Sequence, residues 1–215
     1  MNSRSVKKGP YRSQLRAEQA SATRQLVLDA ATRLFIEQGY AATSIDAIAE
    51  AAGVGRSTVF AAGGGKSSLL KTAYDRAIVG DDEPVPFLQR PAARKLFDMN
   101  DPVEIVAGYA GIIADAAKRV SAICEAIHRA AGCDPEVADL WTEIGAQRLN
   151  GGAAFAKLIN ETGGLRKGLT VARARDIISI FNDPTLHHVL VRLRGWRQSH
   201  YRDWLSENLQ SQLLG

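Results

Sequence analysis

The sequence has no long hydrophobic run and few cysteines. Its longest apolar stretch, residues 105–117, is interrupted by two glycines and Asp115, and it is shorter than the roughly 20 residues that a helix needs to cross a bilayer. Only two cysteines, Cys124 and Cys133, occur in 215 residues, too few for the disulfide framework of a secreted protein. The basic N-terminal residues are followed by polar residues rather than by an apolar segment, so no secretory signal is expected. We therefore expect a cytoplasmic protein without a transmembrane helix.

The sequence also lacks the pattern of β-strands. No segment alternates apolar and polar residues between hairpin turns, whereas apolar residues recur at spacings of three and four along most of the chain. Hydrophobic residues make up 46% of the chain, enough for a sizeable core. The predicted fold is all-α, with a small N-terminal three-helix domain that contains a helix-turn-helix and a larger helical bundle behind it.

Positive charge is concentrated near the N-terminus. Residues 1–80 hold 11 Lys and Arg against 6 Asp and Glu, whereas residues 81–215 hold 16 against 17. Five basic residues precede the first acid, Glu18, in a segment without apolar periodicity, so we predict a flexible basic arm over residues 1–20. Such an arm suits nucleic acid or an anionic membrane, but it lacks the Trp, Phe and Leu face of an interfacial helix. Nucleic acid is the favoured partner, and no membrane partner is expected.

The segment Gly63-Gly64-Gly65-Lys66-Ser67 looks like a phosphate-binding loop. The nucleotide-binding motif requires a glycine five positions before its Gly-Lys pair, and that position is Phe60. The preceding element is a predicted helix rather than a strand. We therefore expect no bound nucleotide and no other cofactor. A helix that begins at Lys66 still presents free N–H groups to an anion, such as a DNA phosphate.

A helix-turn-helix is predicted immediately before these glycines. A short helix capped by Thr43 or Ser44 ends at Gly53, and a second helix begins near Arg56. Ala49, Gly53 and Val59 supply the small crossing residue, the turn and the apolar anchor. The predicted helices cover residues 22–38, 45–52, 56 to the triple glycine, 66–80, 103–131, 135–161, 171–181, 184–192 and 199–214. Residues 81–102 form a connection with one helical turn.

Over residues 21–75 the chain resembles the TetR family of bacterial transcriptional regulators. The resemblance is carried by Leu28-Asp29-Ala30-Ala31, Leu34-Phe35-Ile36-Glu37-Gln38-Gly39-Tyr40, Thr43-Ser44-Ile45, Ile48-Ala49, Ala52-Gly53-Val54, Ser57-Thr58-Val59-Phe60 and Lys66-Ser67-Ser68-Leu69-Leu70. It implies a homodimeric repressor with a DNA-binding domain over residues 21–65. Residues 66–215 would then form a connecting helix and a ligand-binding, dimerising bundle.

The resemblance also implies roles for individual residues. Arg56, Ser57 and Thr58 are expected in the major groove of double-stranded DNA, and Phe60 near its backbone. Thr43, Ser44 and Lys66 are expected to hold phosphates. A dimer implies a palindromic operator. Ala62 and Gly63 depart from the family, which commonly has an aromatic residue and often a histidine there, so we expect the second helix to fray early.

A small apolar or amphipathic effector is expected in the C-terminal bundle. Candidate pocket residues on the central helices are Tyr109, Ile113, Cys124, His128, Trp141 and Phe155. The apolar faces of residues 171–181 and 199–214 are the candidate dimer interface.

Cys124 and His128 offer an alternative, because their spacing of four places them on one helix face. Together with Cys133 they fall short of the four ligands of a structural zinc site, so no metal is expected. As a nucleophile and base they lack an orienting partner in the sequence. A cytoplasmic helical enzyme using this pair is the second hypothesis, and a regulator without catalytic activity is the first.

Overall fold

The computed structural model describes residues 10–80 and 89–215. Within these ranges the chain is helical, and its only β feature is an isolated bridge between Leu165 and Leu214. The all-α prediction is confirmed. The chain divides into two compact units, one ending at Ala73 and the other beginning at Tyr74. In the ranges that the structure describes, every helix is too short or too polar to cross a membrane.

The first unit is built from three helices and the start of a fourth. These are α1 (Pro10–Glu37), α2 (Ile45–Ala52), α3 (Arg56–Gly63) and α4 (Lys66–Val79), of which α4 continues into the second unit. The helices share a core of residues that are at most 1% exposed: Val27, Ala31, Phe35, Ile48, Val59, Leu69 and Leu70. Val59 is the buried anchor of α3, as predicted.

Helix α1 begins earlier than the sequence predicted. Residues 10–20 are helical, where a flexible arm was expected, and residues 1–9 of that arm lie outside the described residues. The segment contains Gln, Leu, Arg, Ala and Glu, which have high helix propensity. The side chain of Gln14 also donates a hydrogen bond to Glu18 one turn later, at 3.1 Å. The low apolar periodicity of this segment therefore reflects an exposed helix, and helix propensity favours its helical backbone.

Two caps fix the turn between α2 and α3. The Ser44 hydroxyl accepts a hydrogen bond from the Ala47 amide at 3.0 Å and starts α2. Gly53 adopts φ +66° at the end of α2, and its amide donates to the Glu50 carbonyl. A residue with a side chain rarely adopts this conformation, so glycine is required to turn the chain into α3.

The second unit contains the remaining helices. They are α5 (Pro91–Phe97), α6 (Pro102–Ala131), α7 (Pro135–Glu161), α8 (Val171–Phe181), α9 (Pro184–His187), a π-helical turn (His188–Leu193) and α10 (Gln198–Leu213). Helices α6, α7, α8 and α10 enclose the hydrophobic core. Asp101, Asp134 and Asp183 each precede a proline and cap α6, α7 and α9, because their carboxylates accept hydrogen bonds from amides of the first turn.

Two polar side chains, Arg119 and His187, join elements of the second unit through hydrogen bonds. Arg119 of α6 donates from Nε to the Ala77 carbonyl at 3.1 Å and from Nη2 to the Ile78 carbonyl at 3.0 Å, which satisfies the C-terminal end of α4. His187 is buried, with Nδ1 3.1 Å from the Ser121 hydroxyl and Nε2 2.9 Å from Oε1 of Gln198. These contacts tie α6 to α4, α9 and α10.

Candidate functional site

The N-terminal part of α3 forms an exposed surface in the first unit. Arg56 and Ser57 are exposed, Thr58 is half-buried, and the Phe60 side chain is 46% exposed. The Arg56 guanidinium lies over the Phe60 ring, with Cζ 5.7 Å from the ring centroid, a cation–π distance. The structure thus places Arg56, the candidate for reading DNA bases, and Phe60, the candidate for contacting the DNA backbone, on one surface.

Arg56 is held by Asp46, which the sequence interpretation did not select. Nη1 of Arg56 donates to both carboxylate oxygens of Asp46, at 2.8 and 2.7 Å. Asp46 lies in the first turn of α2, and the contact crosses the helix-turn-helix. The acid at a helix start was visible in the sequence, but its pairing depends on how α2 and α3 cross.

The two predicted hydroxyl contacts differ in accessibility. Ser44 is exposed at the start of α2, where its oxygen accepts from the Ala47 amide while its own O–H is free to donate. Thr43 is 1% exposed, and its hydroxyl donates to the Gly39 carbonyl at 2.8 Å. A buried hydroxyl in this position stabilises the loop after α1 and does not face a phosphate.

Lys66 has an internal partner as well as a predicted phosphate role. Its Nζ donates to the Tyr40 carbonyl at 3.0 Å and lies 4.1 Å from the centroid of the Tyr40 ring. An ammonium group has three donors, so a phosphate contact remains open to it. The lysine therefore joins the start of α4 to the loop after α1.

Two of the three consecutive glycines are required by the structure, Gly63 for packing and Gly64 for its backbone conformation. A Cβ on Gly63 would collide with the side chain of Leu69, which is 1% exposed. Gly64 adopts φ +75°, a conformation that favours glycine. Helix α3 continues to Gly63, and the Gly64 amide donates to the Phe60 carbonyl at 2.9 Å. The early end expected for this helix is therefore wrong in the described residues, because Gly63 is still part of α3.

The predicted pocket residues fall into two groups within the second unit. Tyr109 and Phe155 pack ring to ring with centroids 3.9 Å apart, and Ile113 is buried in the same hydrophobic core. All three side chains are therefore part of the packed core of the second unit. The apolar face of α10 is also buried in this core, including Tyr201 and Leu205. That face is therefore used inside the chain and does not serve the predicted dimer interface.

The other group surrounds a half-buried arginine. The ring of Trp141 lies against the ring of His128, with their centroids 4.9 Å apart. Cζ of Arg148 lies 5.2 Å from the centroid of the Trp141 ring. Nη2 of Arg148 pairs with Asp183 at 3.2 Å, whereas its Nη1 is buried and has no hydrogen-bond partner among the described residues. Arg148 was missed by sequence reasoning, although its spacing of seven from Trp141 places both on one face of α7.

Cys124 belongs to this group but is not a reactive thiol. It is fully buried, and burial raises the pKa of the thiol to about 12, so it is protonated at neutral pH. His128 is exposed and lies against Trp141. In the part of the chain that the structure describes, no group of three or more His, Cys, Asp and Glu side chains is arranged to hold a metal ion.

An open cavity of about 430 Å³ lies at the loop before α8. Its lining is basic and apolar: Arg166, Lys167, Gly168, Leu169, Arg173, Asp176, Ile177 and Ile180. None of the predicted pocket residues lines it. Its walls come from a loop and one helix, so it is a surface cavity rather than an enclosed one.

Comparison with known proteins agrees with the helix-turn-helix geometry. Residues 27–73 match the family model described as bacterial regulatory proteins, tetR family. No curated protein sequence matches the chain. The structure is similar to NalD of Pseudomonas aeruginosa, described as the secondary repressor of the MexAB-OprM multidrug efflux pump, with TM-score 0.68 and 20% identity over 92% of this chain and 98% of that one.

Two ligand-bound structures are similar to the same extent. A transcriptional regulator from Saccharomonospora viridis in complex with choline has TM-score 0.68 and 18% identity over 91% of this chain and 99% of that one. FadR of Bacillus subtilis in complex with stearoyl-CoA has TM-score 0.68 and 19% identity over 88% and 98%. At these identities the likeness shows the fold alone, over the parts of the chain that the alignments cover, and the family match covers residues 27–73.

Proposed function

We propose that this chain, which carries a TetR-family DNA-binding domain over residues 27–73, is a transcriptional repressor released from its operator by a small molecule. The observation that carries this function is the family match coinciding with an exposed α3 surface around Arg56 and Ser57. Helix α3 is anchored by buried Val59 and presents polar side chains at its N-terminal end. Recognition helices of this motif contact base edges with their N-terminal residues.

The proposed DNA contacts divide into two kinds. Arg56, with Ser57 and Thr58, reads base edges, and a bidentate contact of Arg56 to guanine contributes about 1–3 kcal/mol of discrimination. Ser44 and Lys66 bind phosphates, which sets the register of the helix on the duplex. Phe60 lies at the edge of this surface. Thr43 is left out of the proposed contacts because its hydroxyl is buried and already donates to a carbonyl.

The regulator is proposed to be a homodimer on a palindromic operator. Exposed apolar side chains support self-association: Ile180 of α8 is 63% exposed and Leu193 of the π-helical turn 66% exposed. Burial of such groups between two copies is favourable. We place the dimer interface on this part of the second unit, and a monomeric mass in dilute solution would refute it.

The effector is proposed to bind beside Trp141 and Arg148. Trp141 offers an aromatic wall, and the unpartnered Nη1 of Arg148 offers a donor to an acceptor atom of the ligand. The choline and stearoyl-CoA complexes of structural neighbours support a ligand in this fold without indicating its identity. We expect a cytoplasmic regulator and no catalysis by Cys124, whose thiol stays protonated.

Gel-shift titration tests the function. Duplexes from the DNA flanking the gene, and a scrambled duplex, are titrated with the full chain between about 50 and 200 mM salt. Tight binding to a flanking duplex that falls steeply with salt is expected, since lysines and arginines displace counterions from phosphates. The absence of salt-dependent binding to every duplex would refute the proposal. Ser57→Ala leaves the charge of the surface unchanged. It therefore serves as the control for binding that is purely electrostatic, which this substitution should not weaken.

A further inference from the structure

We propose that Asp46 is a positioning residue that orients Arg56 for a guanine and removes its attraction for phosphates. The inference rests on the proposed DNA-binding function and deepens it by assigning a specificity role to a residue of α2. Its basis is the contact of one guanidinium nitrogen, Nη1, with both carboxylate oxygens, at 2.8 and 2.7 Å.

The contact leaves one edge of the guanidinium available. An arginine side chain carries five N–H donors in a fixed plane. With Nη1 directed at Asp46, the edge formed by Nε and Nη2 bonds to no other residue that the structure describes. Two parallel donors on one edge match O6 and N7 of guanine. Asp46 therefore selects which edge of Arg56 faces the groove.

A second contact restricts the guanidinium further. Its Cζ lies 5.7 Å from the centroid of the Phe60 ring, one turn along α3. With Asp46 and Phe60 both in contact, fewer side-chain conformations are left to be lost when DNA binds. Arg56 is thus pre-organised by one residue from α2 and one from its own helix.

The pairing also changes what Arg56 contributes electrostatically. The side chains of Arg56 and Asp46 are 59% and 70% exposed, and a surface ion pair of this kind contributes little to stability. Its charge is nevertheless balanced, so Arg56 adds little to the non-specific attraction of the domain for phosphates. The pair therefore favours discrimination between sequences over affinity for any sequence.

Selection from a random duplex library tests the assignment. The full chain is used as wild type, Arg56→Ala, Asp46→Asn and Glu50→Gln, and the bound duplexes are sequenced. Glu50 is an exposed acid of the same helix, so Glu50→Gln removes an equal charge without touching Arg56. Wild type and Glu50→Gln are expected to select the same motif, with a guanine that Arg56→Ala no longer prefers.

Asp46→Asn is expected to change two quantities in opposite directions. Preference for that guanine falls at least about fivefold, the lower end of the range that a bidentate contact contributes. Binding to a scrambled duplex becomes tighter at low salt, and the slope of log affinity against log salt steepens by about 0.9, the value for one additional neutralised phosphate. A purely structural role of Asp46 would weaken both kinds of binding together.

The outcomes separate this inference from the proposed function. Failure of wild type to select any motif would remove the function and this inference with it. A wild-type motif whose guanine is lost in Arg56→Ala but kept in Asp46→Asn would overturn the inference alone, as would a guanine kept in Arg56→Ala. If Asp46→Asn does not fold, as judged by circular dichroism, Asp46→Ser provides the same test, because serine also lacks the carboxylate that pairs with Arg56 and leaves the Ser44 cap in place.

Discussion

The guanidinium of Arg148 pairs with Asp183 through Nη2 at 3.2 Å, while its Nη1 is buried and has no hydrogen-bond partner in residues 10–80 and 89–215. The pair joins α7 to the start of α9. Asp183 also caps α9, because its Oδ1 accepts from the Thr185 amide at 2.9 Å. One carboxylate thus compensates a half-buried charge and starts a helix, and the two roles can be separated by substitution.

Asp183→Asn is expected to lower the free energy of unfolding by about 1–3 kcal/mol, the cost of leaving a buried polar group without its partner. Asparagine retains the cap of α9 and removes only the charge. Urea denaturation followed by circular dichroism measures the effect. Asp176→Asn is the matched control, since Asp176 pairs with Arg175 at the surface. Equal stability of Asp183→Asn and wild type would contradict the structural role of this pair.

The space around the triple glycine gives a second prediction. Gly63→Ala is expected to destabilise the first unit by about 1–3 kcal/mol, because the added Cβ overlaps buried Leu69. A Cβ on Gly65 meets nothing within 4 Å, so Gly65→Ala is expected to be neutral within about 0.5 kcal/mol. Thermal denaturation of the two variants is the measurement. Equal loss in both would indicate that backbone flexibility, rather than packing, requires these glycines.

His187 makes stability depend on pH. Burial lowers the pKa of its imidazole, against the opposing effect of the hydrogen bond to Gln198. The unfolded chain therefore binds a proton more readily than the folded chain, and stability falls as the pH drops below the ordinary histidine pKa of about 6.5. Above that pH the contribution is fully present.

Urea denaturation at about pH 7.5 and pH 5.5 measures this dependence. His187→Gln removes the titrating group and keeps a polar side chain, so the loss of stability between the two pH values should be smaller in this variant than in wild type. An identical loss in both proteins would assign the dependence to other groups.

Arg119 gives a local prediction. Its Nε and Nη2 donate to two carbonyls at the C-terminal end of α4, so Arg119→Ala is expected to free the last turn of that helix at a cost of about 0.5–1.5 kcal/mol per hydrogen bond. Hydrogen exchange of the α4 amides near Val79 should accelerate. Exchange at the start of α4 serves as the internal control, and unchanged protection at both ends would exclude the contact.

Local chemistry made parts of this fold predictable from sequence. Asp134-Pro135 marked the start of α7, because a carboxylate cap and a proline at the first position act within one turn. Gly53 marked the turn of the helix-turn-helix because glycine readily adopts the positive φ that ends α2. The low apolar periodicity of residues 10–20 predicts no helix there, whereas their helix propensity favours the helix that the structure shows.

The candidate site was less predictable, because its contacts join residues distant in sequence. Arg56 was selected, but its partner Asp46 lies on another helix. The sequence predicts Lys66 to bind a phosphate, yet in the structure it donates to the Tyr40 carbonyl, 26 positions away. Thr43 illustrates the reverse error, since a hydroxyl at a helix start can also face inward. Such assignments require the crossing of the helices, which spacing alone does not supply.

The difference between the two cysteines makes the native chain suitable for spectroscopy. Cys133 is exposed at the turn between α6 and α7, whereas Cys124 is buried and its thiol unreactive. A spin label added without any substitution should therefore attach at Cys133 alone, and a homodimer would carry two labels and give a single distance. Recording that distance with operator and again with effector would follow the two halves of the dimer directly.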